Sequence, residues 1–199
     1  MTTQLCSAHD IIALHAKKIT DWYNNDKSLI EPNDLLQAIE LNHLNNFSLW
    51  LDEDKARRDD KGFEYVYNAK RNIDHYNQQR NNQMENIDQI LFNQLQPLTQ
   101  GGEFHSETPG MIIDRLSILS LKQYHMHLQT QRNDVDDVHQ KNCHDKYNII
   151  CLQLTHLGEF LDKYLRDIQD KKRSFRLYKQ FKMYNDKSLN PELYQPAES

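Results

Sequence analysis

The chain has 199 residues, 38% of them hydrophobic and 27% charged, with a formal net charge of -5 and a pI ≈ 6.0. A chain of this length can bury one sizeable core, and its apolar residues recur too regularly for a disordered segment. The mild acidity excludes a global pull toward DNA or an anionic membrane surface, and no window holds the ~20 apolar residues of a membrane span.

Three cysteines, Cys6, Cys143 and Cys151, show no C-x-x-C spacing, which supports neither a disulfide framework nor a zinc knuckle. The start "MTTQLCSAHDIIALH" lacks the basic flank and unbroken apolar run of a signal peptide, so a reducing, cytoplasmic setting is expected.

Five glycines and five prolines leave few turns, at Pro32, Gly62, "QPLTQGGEFHSETPG" and "LNPELYQP", and long helices must fill the intervals. The first is expected from about Ala8 to Tyr23, with Ser7 and Asp10 at capping-box spacing and Ala8, Ile11, Ile12, Ile19 and Trp22 on one face. A second follows Pro32, and its inward line reads Leu36, Ile39, His43, Phe47, Trp50, Asp54, Arg57, apolar at first and ionic at the end.

The third helix is expected from near Phe63 to Leu95, with Val66, Ile73, Met84, Ile87, Leu91 and Leu95 at three- and four-residue steps and Arg80 inside that line. A polar line runs beside it through Lys70, Asp74, Asn77, Asn81, Glu85 and Asp88. The fourth begins with Thr108 as cap and Pro109 in the first helical position, where a missing N–H costs nothing. Its apolar residues, Ile112, Ile113, Leu116, Ile118, Leu119, Leu121 and Tyr124, wrap most of the circumference. Asp114, Arg115 and Lys122 are left to the remaining sector.

The fifth helix, roughly Val135 to Ile168, carries Cys143, Tyr147, Ile150, Leu154, Leu157, Leu161, Tyr164 and Ile168 at alternating steps of four and three, the pattern of a bundle seam. Residues 183–199 read as an irregular tail. The expected fold is all-α: a single-domain antiparallel helical bundle over residues 1–199, of about five helices, two of them long.

Three helices thus exchange apolar for charged residues along a core-directed line. Either these are three solvated faces, or the charges converge indoors, where they persist only when paired and hydrogen-bonded. Convergence has two versions. In one, Asp54, Arg57, Asp74, Arg80, Asp114 and Arg115 are structural ion pairs that set helix register. In the other, Arg57, Arg80, Arg115 and Lys122 form a cradle for an anion at the helix start in "SETPG", with Glu107 and Thr108 beside it and Asp54, Asp74, Asn77, Asn81 and Asp114 completing the ligand set.

Ten histidines raise a metal site, for which His139 with Cys143 is the best local pair. Cys143 already belongs to the apolar seam, and no matched second pair exists, so no metal is expected. His43 reads as a hydrogen-bonded interior histidine. Between Lys163 and Lys182, basic residues interleave with Tyr164, Phe175, Tyr178 and Phe181 at helical steps, which would dock this segment on the bundle and leave its lysines solvated. The exposed side of the fifth helix leaves the oligomeric state open.

The runs "LWLDEDKARRDD", "KRNIDHYNQQRNNQMENID", "SETPGMIIDRLSILSLK" and "QFKMYNDKSLNPELY" resemble an uncharacterised bacterial family of single-domain proteins about this long, a domain of unknown function often encoded beside glycosyltransferases and lipopolysaccharide genes. The resemblance covers Asn42 to Tyr194, with S-E-T-P-G-x-x-x-D-R-L-S-I-L its specific block. Leu51 and Asn82 depart from the family pattern, where histidine and aspartate stand.

The resemblance implies a helical fold, a bacterial cytoplasm and a link to surface-polysaccharide synthesis, and it supplies no activity or cofactor. The expected function is a binding or accessory protein for an anionic, sugar-linked small molecule. The alternatives are an enzyme using Glu107 or Asp114 as acid or base on a nucleotide sugar or sugar phosphate, and a structural partner of a glycosyltransferase.

Overall fold

Ser7 starts the first helix by the expected reciprocal cap. Its hydroxyl accepts from the Asp10 N–H while the Asp10 carboxylate accepts from the Ser7 N–H and O–H. The computed structural model describes residues 6–26, 28, 34–181, 183 and 186–194. In it α1 is Ala8–Tyr23, α2 Asp34–Lys55, α3 Phe63–Leu95, α4 Pro109–Thr130 and α5 Asp137–Gln169. The chain is mostly helical, as its periodicity implies, and Pro32 lies outside the described residues.

α3 has the expected bounds, opened by Gly62 in a left-handed conformation (φ 85°) and closed by Gln96, also left-handed (φ 45°). α4 starts with Thr108 accepting from Met111 N–H and Pro109 in the first helical turn. α5 starts two residues later than expected because the Asp136 side chain caps it, accepting from His139 N–H at 2.7 Å.

α2 packs along α3, and α4 along α5, with α1 lying over α2, α4 and α5. The seam read from α5 faces inward: Cys143, Leu154, Leu161, Tyr164 and Ile168 are buried, and Leu161, Leu165 and Ile168 share a cluster with Ile87, Leu91, Ile112 and Leu116. Each such side chain, fully buried, contributes on the order of 1.5–3 kcal/mol, which is what holds helices this polar together. Gly158 lets α1 approach α5, since a Cβ there would sit 3.3 Å from Ile12 and 3.4 Å from Ala8.

Three features depart from the sequence reading. Glu103–Phe104 and Arg173–Ser174 form a parallel pair of two-residue strands, β1 and β2, that joins the loop before α4 to the segment after α5. That segment is extended, not helical. Phe175 is buried beside Phe92, whereas Tyr178 and Phe181 stay exposed, so the docking rests on Phe175 and on Glu85, which accepts from Lys179 and Gln180. The expected irregular tail includes a one-turn helix, α6, Pro191–Tyr194; residues 184, 185 and 195–199 lie outside the described residues.

Among the described residues no helix is long and apolar enough to cross a membrane, and no group of three or more His, Cys, Asp or Glu side chains could hold a metal ion.

Candidate functional site

Asp114 is the centre of the polar interior. It faces α2 and α3 from the second turn of α4, 2% exposed. Arg80 grips it with two parallel bonds, Nε to Oδ1 at 2.8 Å and an Nη to Oδ2 at 2.6 Å. The Asn42 and Asn46 amides donate to Oδ1 at 3.1 and 2.9 Å. Asn46 also donates to the Ser117 hydroxyl, which shares a 2.7 Å hydrogen bond with His43 Nδ1. The other nitrogen of His43 meets the His15 carbonyl at 3.1 Å, and the two imidazoles lie 4.2 Å apart. Burial pushes His43 down to about 3 and holds His15 well below its ordinary value, so both rings are neutral.

Three further charged groups are enclosed on α1 and α2. Lys18 and Glu40 pair at 2.7 Å with almost no exposure, and the Lys18 ammonium also donates to the Ser28 carbonyl. Asp52 is buried and pairs with Lys55 at 2.6 Å. α2 therefore turns a polar set, Glu40, Asn42, His43, Asn46 and Asp52, toward the interior. The sequence reading named only His43 among these, and drew the ionic end of the line one step off. Asp54 is exposed, and Arg57 lies beyond the last residue of the helix, where helical phase no longer applies.

The helix start in "SETPG" is already occupied, which corrects the expected anion cradle there. The Asp88 carboxylate, from α3, accepts from the Gly110 N–H at 2.7 Å and from the Thr108 hydroxyl. An internal carboxylate thus neutralises the positive end of α4 that a ligand would otherwise meet. Burial pushes Asp88 up to about 6 despite these bonds. Gly110 makes the contact sterically feasible: a Cβ there would lie 2.5 Å from the Met84 carbonyl oxygen and 2.8 Å from Asp88 Oδ1. Thr108 itself is buried as the cap.

The four expected cradle cations do not converge either. Arg57 and Arg80 line a cleft of about 430 Å³ between α2, α3 and α4, with Asn46, Trp50, Glu53, Asp54, Asn77 and Ile118 among its walls. Arg115 and Lys122 line a separate groove of about 470 Å³ toward α5, with Gln153 and His156. Asp114 and Arg115, neighbours in sequence, point about 100° apart on the helix, and Ile118 stands between the two hollows.

Most of the expected site residues are also already paired. Glu107 holds Arg115 at 2.9 and 3.0 Å; Asp74 pairs with Arg71 at 2.6 Å; Arg57 bonds the Glu53 carboxylate at 2.9 Å and its carbonyl. Asn81 is buried on α3 outside the cleft lining. Of the eleven expected residues, the cleft therefore gathers Asp54, Arg57, Asn77 and Arg80, with Asp114 directly behind Arg80.

Trp50 gives the cleft an aromatic wall. Its ring stacks on His125 of α4 at 4.3 Å with 5° between planes, which fixes its orientation. The cations are locally balanced, Arg80 by Asp114 and Arg57 by Glu53, so the cleft is a polar hydrogen-bonding surface beside an aromatic ring and not a strongly basic hole. Asp114 accepts from Arg80, Asn42 and Asn46 at once, and Glu107 accepts from Arg115 at the surface, away from the cleft lining.

Fold and site together define a mostly helical protein with an arginine–carboxylate pair at its polar centre and a tryptophan-walled cleft above it. The chain belongs to the family described as Protein of unknown function (DUF4254), which it matches over residues 36–177, a span that contains α3, α4, α5 and nearly all of α2. No curated protein and no solved structure matches it.

Proposed function

We propose that this protein binds a sugar-linked, anionic small molecule in the cleft between α2, α3 and α4, and serves as an accessory protein in bacterial surface-polysaccharide synthesis in the cytoplasm. The observation that carries the binding reading is the pairing of an oriented Trp50 ring with Asn46, Asn77, Asp54, Arg57 and Arg80 around about 430 Å³. An apolar ring face suits the C–H face of a sugar, and planar amides, carboxylates and guanidinium groups suit its hydroxyls. Arg57, exposed at the mouth, can exchange Glu53 for the anionic group of the ligand. The polysaccharide context rests on the resemblance of the four sequence runs above, not on this geometry.

In the same reading the helices form an antiparallel bundle, which is supported by Asn42 meeting Arg80 while Leu49, further along α2, and Ala56, just past its end, cluster with Ala69 and Ile73, earlier in α3. A second reading, a ligand-free structural partner of a glycosyltransferase, draws support from the sealing of Asp114 behind Arg80, Asn42 and Asn46. A panel of nucleotide sugars and sugar phosphates separates the two. The binding reading expects at least one to raise the melting temperature at millimolar concentration, and no shift across the panel with a stable glycosyltransferase complex would support the second.

A further inference from the structure

The outward face of α5 repeats the geometry of its inward seam. Val138, Asn142, Asp145, Ile149, Leu152, His156, Glu159 and Lys163 recur at alternating steps of four and three, and all eight are exposed. At the centre of this strip, Ile149 and Leu152 are 55% and 57% exposed, and Val138 at its start is 69% exposed. Two large apolar side chains side by side in the middle of a long exposed helix face are poor neighbours for water. A strip with heptad spacing between three and four repeats long is also the shape a second helix would fill.

The charges on the strip say which helix. In heptad terms Asn142, Ile149, His156 and Lys163 hold one core position, and Val138, Asp145, Leu152 and Glu159 the other. Antiparallel helices pack one kind of position against the other, so two copies of α5 crossing between residues 150 and 151 would place Ile149 on Leu152 twice. Asp145 of each copy, which Lys141 of its own helix also holds at 2.7 Å, would then meet His156 of the other, Asn142 would meet Glu159, and Lys163, its ammonium on Asp167 at 2.6 Å, would lay its stem over Val138. Parallel pairing instead sets Asp145, Glu159 and Lys163 each against its own copy, three like-charge contacts that disfavour it. The pattern is complementary to itself in one direction only.

We infer that α5 is a self-association surface through which two copies of this chain form an antiparallel, two-fold symmetric dimer centred on Ile149 and Leu152. The interface is isologous, so it closes at two copies. From Val138 to Lys163 the strip is about 38 Å long at 1.5 Å per residue. A contact about 10 Å wide along it covers roughly 400 Å² on each copy, at the low end for specific association, so the dimer dissociates on dilution. His156 and Gln153 also border the Arg115–Lys122 groove, and dimerisation brings the second copy to the edge of that groove.

Sedimentation velocity of the full chain over a concentration series tests this. The expected result is a monomer–dimer equilibrium within the micromolar range. Leu152→Glu should weaken it at least tenfold while the melting temperature of the monomer is kept, because the side chain is on the surface. Asp145→Lys alone and His156→Glu alone should each weaken association, and the double variant should restore it by exchanging the two partners. A chain that stays monomeric at hundreds of micromolar overturns the inference, as does a dimer indifferent to Leu152→Glu or a double variant no better than the singles. None of these outcomes depends on whether the cleft beside Trp50 holds a ligand.

Discussion

Replacing Asp114 by alanine removes the shared acceptor of Arg80, Asn42 and Asn46 in one step. The guanidinium loses bonds of 2.8 and 2.6 Å and the amides lose theirs of 3.1 and 2.9 Å. Breaking a buried pair by deleting one partner costs about 3–5 kcal/mol, because the remaining charge stays enclosed. Arg80 keeps 26% of its side chain exposed and can turn partly to water, which places its share near 3 kcal/mol.

The two stranded amide donors add roughly 1 kcal/mol between them, so the total is about 4 kcal/mol. For a chain of 199 residues that corresponds to a fall of about 10 °C in melting temperature, measured by circular dichroism or calorimetry. The companion variant, Arg80→Met with Asp114→Leu, should recover more than half of the loss, since no charge is then left behind. A loss under about 1 kcal/mol in Asp114→Ala would refute the reasoning, as would a double variant no more stable than the single one.

Gly110→Ala should destabilise the protein by about 3 kcal/mol or more, because its Cβ would sit 2.5 Å from a backbone oxygen that cannot move aside; urea denaturation measures it, and a neutral result would contradict the close approach of α4 to α3. Stability should also fall with acidification. His43, with an ordinary value of 6.5 and a folded value pushed down to about 3, binds its proton only when unfolded across that interval, which removes about 2 kcal/mol by pH 5, and His15 acts in the same direction. Asp88, pushed up from 3.8 to about 6, takes up its proton first in the folded state and offsets about 1 kcal/mol. Urea midpoints at pH 8 and pH 5 should therefore drop, and His43→Gln should flatten the drop; a profile that rises toward pH 5 contradicts the neutral buried pair. Trp50→Ala should cost about 2–3 kcal/mol, as the ring packs against the Trp22–Phe47 cluster and stacks on His125, yet leave the chain folded while removing any ligand-induced rise in melting temperature.

Local patterns carried the fold a long way. The Ser7–Asp10 box, the Thr108–Pro109 start and the 4-3 seam of α5 are each decided by residues within one or two helical turns, and each stands in the structure as read. The site was less legible because its partners come from different helices. Asn42 and Asn46 look like ordinary surface residues until Asp114 arrives 72 and 68 residues later in the chain. Asp88 sits on a line that reads as polar throughout, with nothing local to mark it, yet it accepts from the first turn of a helix that begins beyond a loop.

One local signal did point there: a glycine directly after the Pro109 start, where a helix gains nothing from it, marks a backbone that another element must approach. The strand pair of β1 and β2 left no such mark, since two residues are too few to show a period.

Calorimetric titration of the intact chain with a nucleotide sugar, run beside Trp50→Ala and Lys122→Ala, tests the cleft most directly. Binding that is lost in Trp50→Ala and kept in Lys122→Ala would place the ligand between α2, α3 and α4, as proposed. Heat of binding unchanged by Trp50→Ala and abolished by Lys122→Ala would put it in the opposite groove and contradict the account.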